Sequence, residues 1–438
     1  MPLAVELAAA QAGDLSAREL AHEVQGAIEA LRAYLPAEPS ERRATRAVLD
    51  VCWRLLPAHL RAALRRVSLF HAPFGEDAAL RVAAAGVAEL DALEQRALLR
   101  RTRDGRWRVH GLVRDYAQAK LDDFPRERAE AAAAYRDHHL ARLRDAGPAL
   151  ERTDSVDGAA AALEAELPDL RRAWELAARE GPADGLAAAA DALLALLARR
   201  GAWAEAELRF AGAAGWLAAR GGAEDALRRL ETRLAIARVA LERPGDAAPL
   251  LRRALAAAVR GRDAAEEAVC LVTLARAHLG DGEPRLARGA AASAVSAADR
   301  AGDGSLRVRA LCIAAESELA EAGYREAVEA LYEAVEVEPG SVAAVEAWHQ
   351  LVATASVLLR AGQLSLAAVL LSRTVSGAAA PPECVARAQT LLAELRASDQ
   401  QQPPSAVPAL VIVSPDAPAL RSAIDPAPSP PPPTRISA

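Results

Sequence analysis

Apolar positions recur at spacings of three and four residues over most of the chain, interrupted by proline and glycine. That period predicts a long succession of amphipathic helices. It is clearest in the stretch from Gly323 to Pro339. There Ala327, Leu331, Ala334 and Val335 fall on one helical face, Gly323 opens the preceding turn, and Pro339 stops the helix. Small residues at 327 and 334 let a neighbouring helix come close, and a larger side chain would overpack at a cost of about 1–3 kcal/mol. The pattern repeats along the chain. Its anchor alanines are Ala206, Ala247, Ala287, Ala327 and Ala367, at steps of 41, 40, 40 and 40 residues. So constant a step predicts five stacked helix pairs, with turns near Gly201, Gly245, Gly282, Gly323 and Gly362. Stacked pairs curve into a superhelix whose concave face holds a peptide or a neighbouring domain.

The N-terminal half reads differently. Ser16-Ala17-Arg18-Glu19 is a capping box that places a helix start at Ser16, and Pro36 and Pro39 break the chain before the next helix. Helices are predicted at 44–56 and 58–70, split by Pro57, with another opening at Gly75 and a fourth over 87–99. Asp104-Gly105 then signals a hairpin between 99–103 and 106–110, followed by a helix over 112–121. A long helix over 126–147 carries His138 and His139. Adjacent histidines point about 100° apart on a helix, so they form no metal pair and are expected at the surface. Further helices are expected at 156–163 and 165–180, and a closing helix with a polar outer face at 383–395. After Ser398 the composition turns to Pro, Ala and Ser, which predicts a disordered tail with local polyproline II. The short apolar run from Ala409 to Val413 in that tail is a candidate docking motif.

Composition narrows the chemistry. The 438 residues carry a net charge of -6, with one lysine (Lys120) and no asparagine. Cys52, Cys270, Cys312 and Cys384 form no C-x-x-C pair and read as buried free thiols in a reducing cytoplasm. No stretch approaches about 18 uncharged apolar residues, so no membrane partner is expected. No nucleophile elbow, zinc motif or dinucleotide loop occurs, so neither an enzyme activity nor a metal or cofactor is expected. A Walker A loop is excluded, because the only lysine does not follow a glycine loop. Residues 41–145 hold 21 Arg/Lys against 15 Asp/Glu. Arg100, Arg101, Arg103, Arg106 and Arg108 decorate the hairpin, which makes it a candidate DNA-gripping wing.

The stretch from Tyr324 to Pro339 resembles the second half of a tetratricopeptide (TPR) repeat, although the 40-residue step exceeds the roughly 34 residues of that repeat. Several other segments resemble bacterial regulators of the NB-ARC type within the signal-transduction (STAND) ATPases, and they come in that family's order. These are Pro2-Leu3-Ala4, Leu55-Leu56-Pro57, Leu64 to Phe70, His110-Gly111-Leu112 and Leu167-Pro168-Asp169-Leu170. The resemblance implies a mainly α chain. Residues 1–39 would belong to the ATPase helical subdomain, 40–121 to a winged helix, 122–182 to a helical connector, 183–398 to a TPR-like α-solenoid and 399–438 to a disordered tail. It implies nucleotide-proximal roles for Pro2 and His110, although Val109-His110-Gly111 departs from the family's Met-His-Asp. The P-loop core is missing and would come from a partner in trans. The expected function is a non-catalytic signalling scaffold that binds a protein or peptide on its repeats. The alternatives are a DNA-binding transcriptional regulator and a truncated piece of a larger ATPase regulator.

Overall fold

Capping and breaking residues set most of the element boundaries. The computed structural model describes residues 2–10, 16–34 and 40–401. The proline-rich tail with its 409–413 run, Met1 and the side chain of Pro2 lie outside the described residues. The chain is mainly helical and divides into two compact units, the first made of 1–147 and 158–230, the second of 148–157 and 231 onward.

The first unit opens with α1 (Pro2–Ala9) and α2 (Ala17–Tyr34). Ser16 caps α2 as expected: its Oγ accepts from the Glu19 amide at 3.3 Å, and the Glu19 carboxylate accepts from the Ser16 amide at 2.9 Å. After α3 (Ser40–Leu55), Pro57 separates α4 (Ala58–Val67). Then come α5 (Glu76–Ala83), α6 (Val87–Gln95), strands β1 (Leu99–Arg101) and β2 (Trp107–Val109), and α7 (Gly111–Asp122). The hairpin is antiparallel with Arg100 opposite Arg108, and Gly105 takes its left-handed turn position at φ 80°. Phe74 adds a third rung, exchanging both backbone hydrogen bonds with Trp107 at 2.9 Å. Phe70, Leu90, Leu93, Val113 and Tyr135 fill a shared core. Tyr135 comes from α8 (Pro125–Leu150); α9 (Val156–Ala165), α10 (Leu167–Glu180), α11 (Ala183–Arg199) and α12 (Trp203–Arg220) follow.

The second unit is a solenoid of helix pairs. Its elements are α13 (Glu224–Ala240), α14 (Pro244–Gly261), α15 (Ala264–Gly280), α16 (Pro284–Ala301), α17 (Gly304–Ala320), α18 (Tyr324–Val337), α19 (Val342–Arg360), α20 (Leu364–Ser376) and the closing α21 (Pro382–Gln401). Counting α11 and α12, the pairs number five among the described residues. Each anchor alanine lies on the second helix of its pair, and all five are fully buried. The residues seven further on, Ala213, Ala254, Ala294, Ala334 and Thr374, are buried with them. Burial of both small positions on every second helix is what close helix approach requires.

The turns differ from expectation in one respect. The residue five before each anchor has positive φ in all five pairs: Gly201 at 63°, Glu242 at 58°, Gly282 at 75°, Ala322 at 62° and Gly362 at 75°. Two of these are not glycine, so Gly245 and Gly323 are not the left-handed residues. Gly245 lies inside α14, and Gly323 is the N-cap of α18 at φ -77°. Space at Gly323 is tight, and the flexible Glu318 side chain would have to swing aside for a larger residue. A Cβ there would lie 2.6 Å from a Glu318 carboxylate oxygen and 3.3 Å from the Glu318 carbonyl oxygen.

Helix α19 is the one described helix long and apolar enough to cross a membrane. Ala347, Trp348, Leu351, Ala355 and Leu358 are all buried along it. They join the core built from α17, α18, α20 and α21.

Candidate partner-binding groove

The first helices of four successive pairs, α13, α15, α17 and α19, line one groove within the second unit. Its cavity is about 430 Å³. Each helix contributes positions three or four apart, which share a face: Ile236 and Val239, Val272 and Arg276, Arg309 and Ile313, Glu346 and Gln350. The 40-residue step brings equivalent positions into line. Val272 matches Cys312, Thr273 matches Ile313, and Ile236 matches Arg276. Ile236 and Val272 are half-buried, leaving apolar surface open to a ligand.

Polar groups edge this apolar floor. Arg276 is paired with Glu316 of α17, and Arg309 with Glu151 at 3.0 Å. Gln350 Nε2 donates to the Cys312 carbonyl at 2.8 Å, tying α19 to α17. Burial pushes the Cys312 thiol up to about 12, so it stays protonated and unreactive at neutral pH. Elsewhere on the same helices, Arg233 of α13 and Glu266 of α15 form a buried ion pair. The arrangement offers an apolar slot with placed charges, the form of a recognition surface. Among the described residues no cluster of His, Cys, Asp and Glu could hold a metal. The lining residues were legible in principle: those of α15 fall 11 to 15 residues before Ala287, and those of α17 fall 14 to 18 before Ala327. Only the folded stack shows that these positions line one cavity.

The hairpin arginines do not form an open cationic patch. Arg100 pairs with Glu6, and Arg101 with Asp91 and Glu94 while its guanidinium lies 4.5 Å from the Trp107 ring centre. Arg106 pairs with Asp104 at 2.7 Å. Arg103 and Arg108 are exposed. His110 is exposed and is the N-cap of α7, its Nδ1 accepting from the Leu112 amide at 3.2 Å. That contact gives it a structural task, satisfying an otherwise unpaired helix donor. Ala206, Ala247, Ala287, Ala327 and Ala367 pack the pairs and face no groove.

The expected surface position of His138 and His139 is wrong, since both are buried. The reason is the aromatic core under α8. The His139 ring packs edge-on against Tyr135 and Phe70, at 4.6 and 6.0 Å between centres. Burial holds its imidazole down to about 4, and neither ring nitrogen has a hydrogen-bond partner. Close by, buried Asp169 accepts from the His71 amide at 2.6 Å, the Ala72 amide at 3.0 Å and the Tyr135 hydroxyl at 2.8 Å. Burial pushes its carboxyl up, but the His71 side chain and amide, with the Tyr135 hydroxyl, outweigh it and the net shift is downward. Sequence reading quoted Asp169 only as part of a motif, because nothing local marks a carboxylate that reaches back 98 residues.

No family model matches the chain, and no curated protein matches it. Among solved structures, it is similar to a signal-transduction ATPase with numerous domains (STAND) protein with a tetratricopeptide repeat sensor from Pyrococcus horikoshii. The identity is 13% and the TM-score 0.45; the match covers 86% of this chain and 61% of that one.

Proposed function

We propose that this chain is a non-catalytic regulatory scaffold that holds a protein or peptide partner in the groove of its second unit. The observation that carries the reading is the groove itself: an apolar floor from four successive first helices, edged by Arg276, Arg309 and Glu346. Repeat solenoids present such concave faces to extended ligands. The motif order read from the sequence supports treating the hairpin-bearing bundle of the first unit as a winged helix. By the same resemblance the repeats would be the sensor of an NB-ARC/STAND-type regulator, with any P-loop ATPase core acting in trans. The four buried free thiols fit a reducing, cytoplasmic setting.

The test is selection of peptides from a random display library on the purified chain, followed by calorimetry with the enriched sequences. Val272→Glu and Ile236→Glu place charge on the half-buried floor and are expected to weaken binding at least tenfold, with thermal midpoints close to wild type. Enriched peptides that bind both variants as tightly as wild type would show that the groove is not the site.

A further inference from the structure

Residues 148–157 belong to the second unit although they lie far from its helices in sequence. Between α8 and α9 the chain runs past the turn that joins α18 to α19. Arg152 and Ser341 form an antiparallel bridge. The Thr153 amide donates to the Gly340 carbonyl at 3.0 Å, and the Val342 amide donates to the Glu151 carbonyl at 2.9 Å. The Thr153 hydroxyl donates to the same Gly340 oxygen at 3.0 Å. The side chain of Glu151 reaches Arg309, one of the groove-lining arginines, and Leu150 beside it is buried.

The receiving turn is longer than the two equivalent turns that precede it. The turns from α14 to α15 and from α16 to α17 use two residues each, Arg262-Asp263 and Gly302-Asp303. The turn from α18 to α19 uses four, Glu338 to Ser341, with Gly340 at φ 89°. Its extra length exposes an extended backbone edge, and that edge is what the 148–157 segment takes.

We propose that residues 151–155 are a tethered clip beside Arg309, with Glu151 standing where a ligand's carboxylate binds. The partner of the groove is then an extended peptide carrying an acidic residue, which displaces the clip. This rests on the groove being the binding site. Three features carry it. The backbone bonds of the clip are indifferent to sequence, so any extended peptide can make them. Arg276 is already balanced by Glu316, so Arg309 is the groove cation freed when Glu151 leaves. Arg309 and Glu151 are both partly exposed, at 38% and 43%, so the pair is weak and exchangeable. Tethering supplies the clip with a high effective concentration, which lets weak contacts hold it until a better ligand arrives.

Hydrogen exchange on the full chain, with fragments covering 149–156 and 338–345, tests the clip. Glu151→Ala is expected to speed exchange in both fragments about two- to fivefold and to leave α15 unchanged; Glu151→Gln should act in the same direction. A labelled synthetic peptide of residues 148–157 is the ligand probe. It is expected to bind Glu151→Ala about two- to fivefold more tightly than wild type, by fluorescence anisotropy, and to lose that gain when Arg309→Ala is added. Unchanged exchange in both Glu151 variants overturns the clip, and library-selected peptides that still need Val272 would then leave the groove reading standing. Faster exchange with no gain in peptide binding overturns the assignment of Glu151 as a ligand surrogate.

Discussion

His139 is a neutral imidazole held among aromatic rings, and its position has a measurable consequence. Its folded value is about 4 against an ordinary 6.5, with burial as the main cause. The unfolded chain therefore binds a proton between those values that the folded chain refuses. Stability is complete above about pH 6.5 and falls as the pH drops toward 4. The loss attributable to this residue is on the order of 3 kcal/mol. His139→Phe keeps an aromatic ring there and removes the titration. Urea unfolding at pH 7 and pH 4 should show wild type losing more stability than the variant by about that amount. Equal losses would mean that His139 is not buried as a neutral ring. Asp169 contributes in a separate and lower window, because its carboxyl is held below the ordinary 3.8.

At the scale of the element, the repeat turn is the informative feature. The left-handed residue five before each anchor costs little for glycine and about 1 kcal/mol for other residues. Ala322→Gly is therefore expected to raise stability by up to about 1 kcal/mol, and Gly282→Ala to lower it by a similar amount. Nothing lies within 4 Å of a Cβ built at Gly282, so the second change isolates the backbone term. Denaturant titration of both variants checks the pair, and a stabilising Gly282→Ala would refute the conformational account. The anchors set the complementary limit. Ala327 is fully buried, and Ala327→Trp should cost about 1–3 kcal/mol by overpacking. A thermal midpoint unchanged by that substitution would contradict the close packing of α18.

For the whole molecule, the absence of a glycine-loop lysine from the sequence bears on nucleotide binding. In P-loop enzymes phosphoryl transfer relies on a backbone cradle, its lysine and a held Mg²⁺. Calorimetry with ATP and Mg²⁺ on the 438-residue chain is expected to show no tight binding; a micromolar constant would reveal a site of another kind. Duplex DNA should bind weakly and weaken further as salt rises, since Arg100, Arg101 and Arg106 are already paired with carboxylates. A footprint on a defined site, lost when Arg100, Arg101 and Arg103 become alanine, would establish the wing as a DNA reader.

Local chemistry was enough to place the capping box at Ser16, the break at Pro57, the hairpin at Asp104-Gly105 and the 40-residue array. Each depends on residues within one turn or one helical face, and period and capping act over that range. The same reading missed the left-handed Glu242 and Ala322, because it looked for glycine where the stacking geometry imposes the turn on whatever residue is present. It placed His138 and His139 at the surface, since only the packing of α8 on Phe70 and Tyr135 buries them. The groove and the clip were beyond it for a related reason. Which helix face is concave, and which distant carboxylate meets Arg309, depend on how the pairs curve and on contacts across more than 150 residues of sequence. Such contacts are decided by the packing of the folded chain.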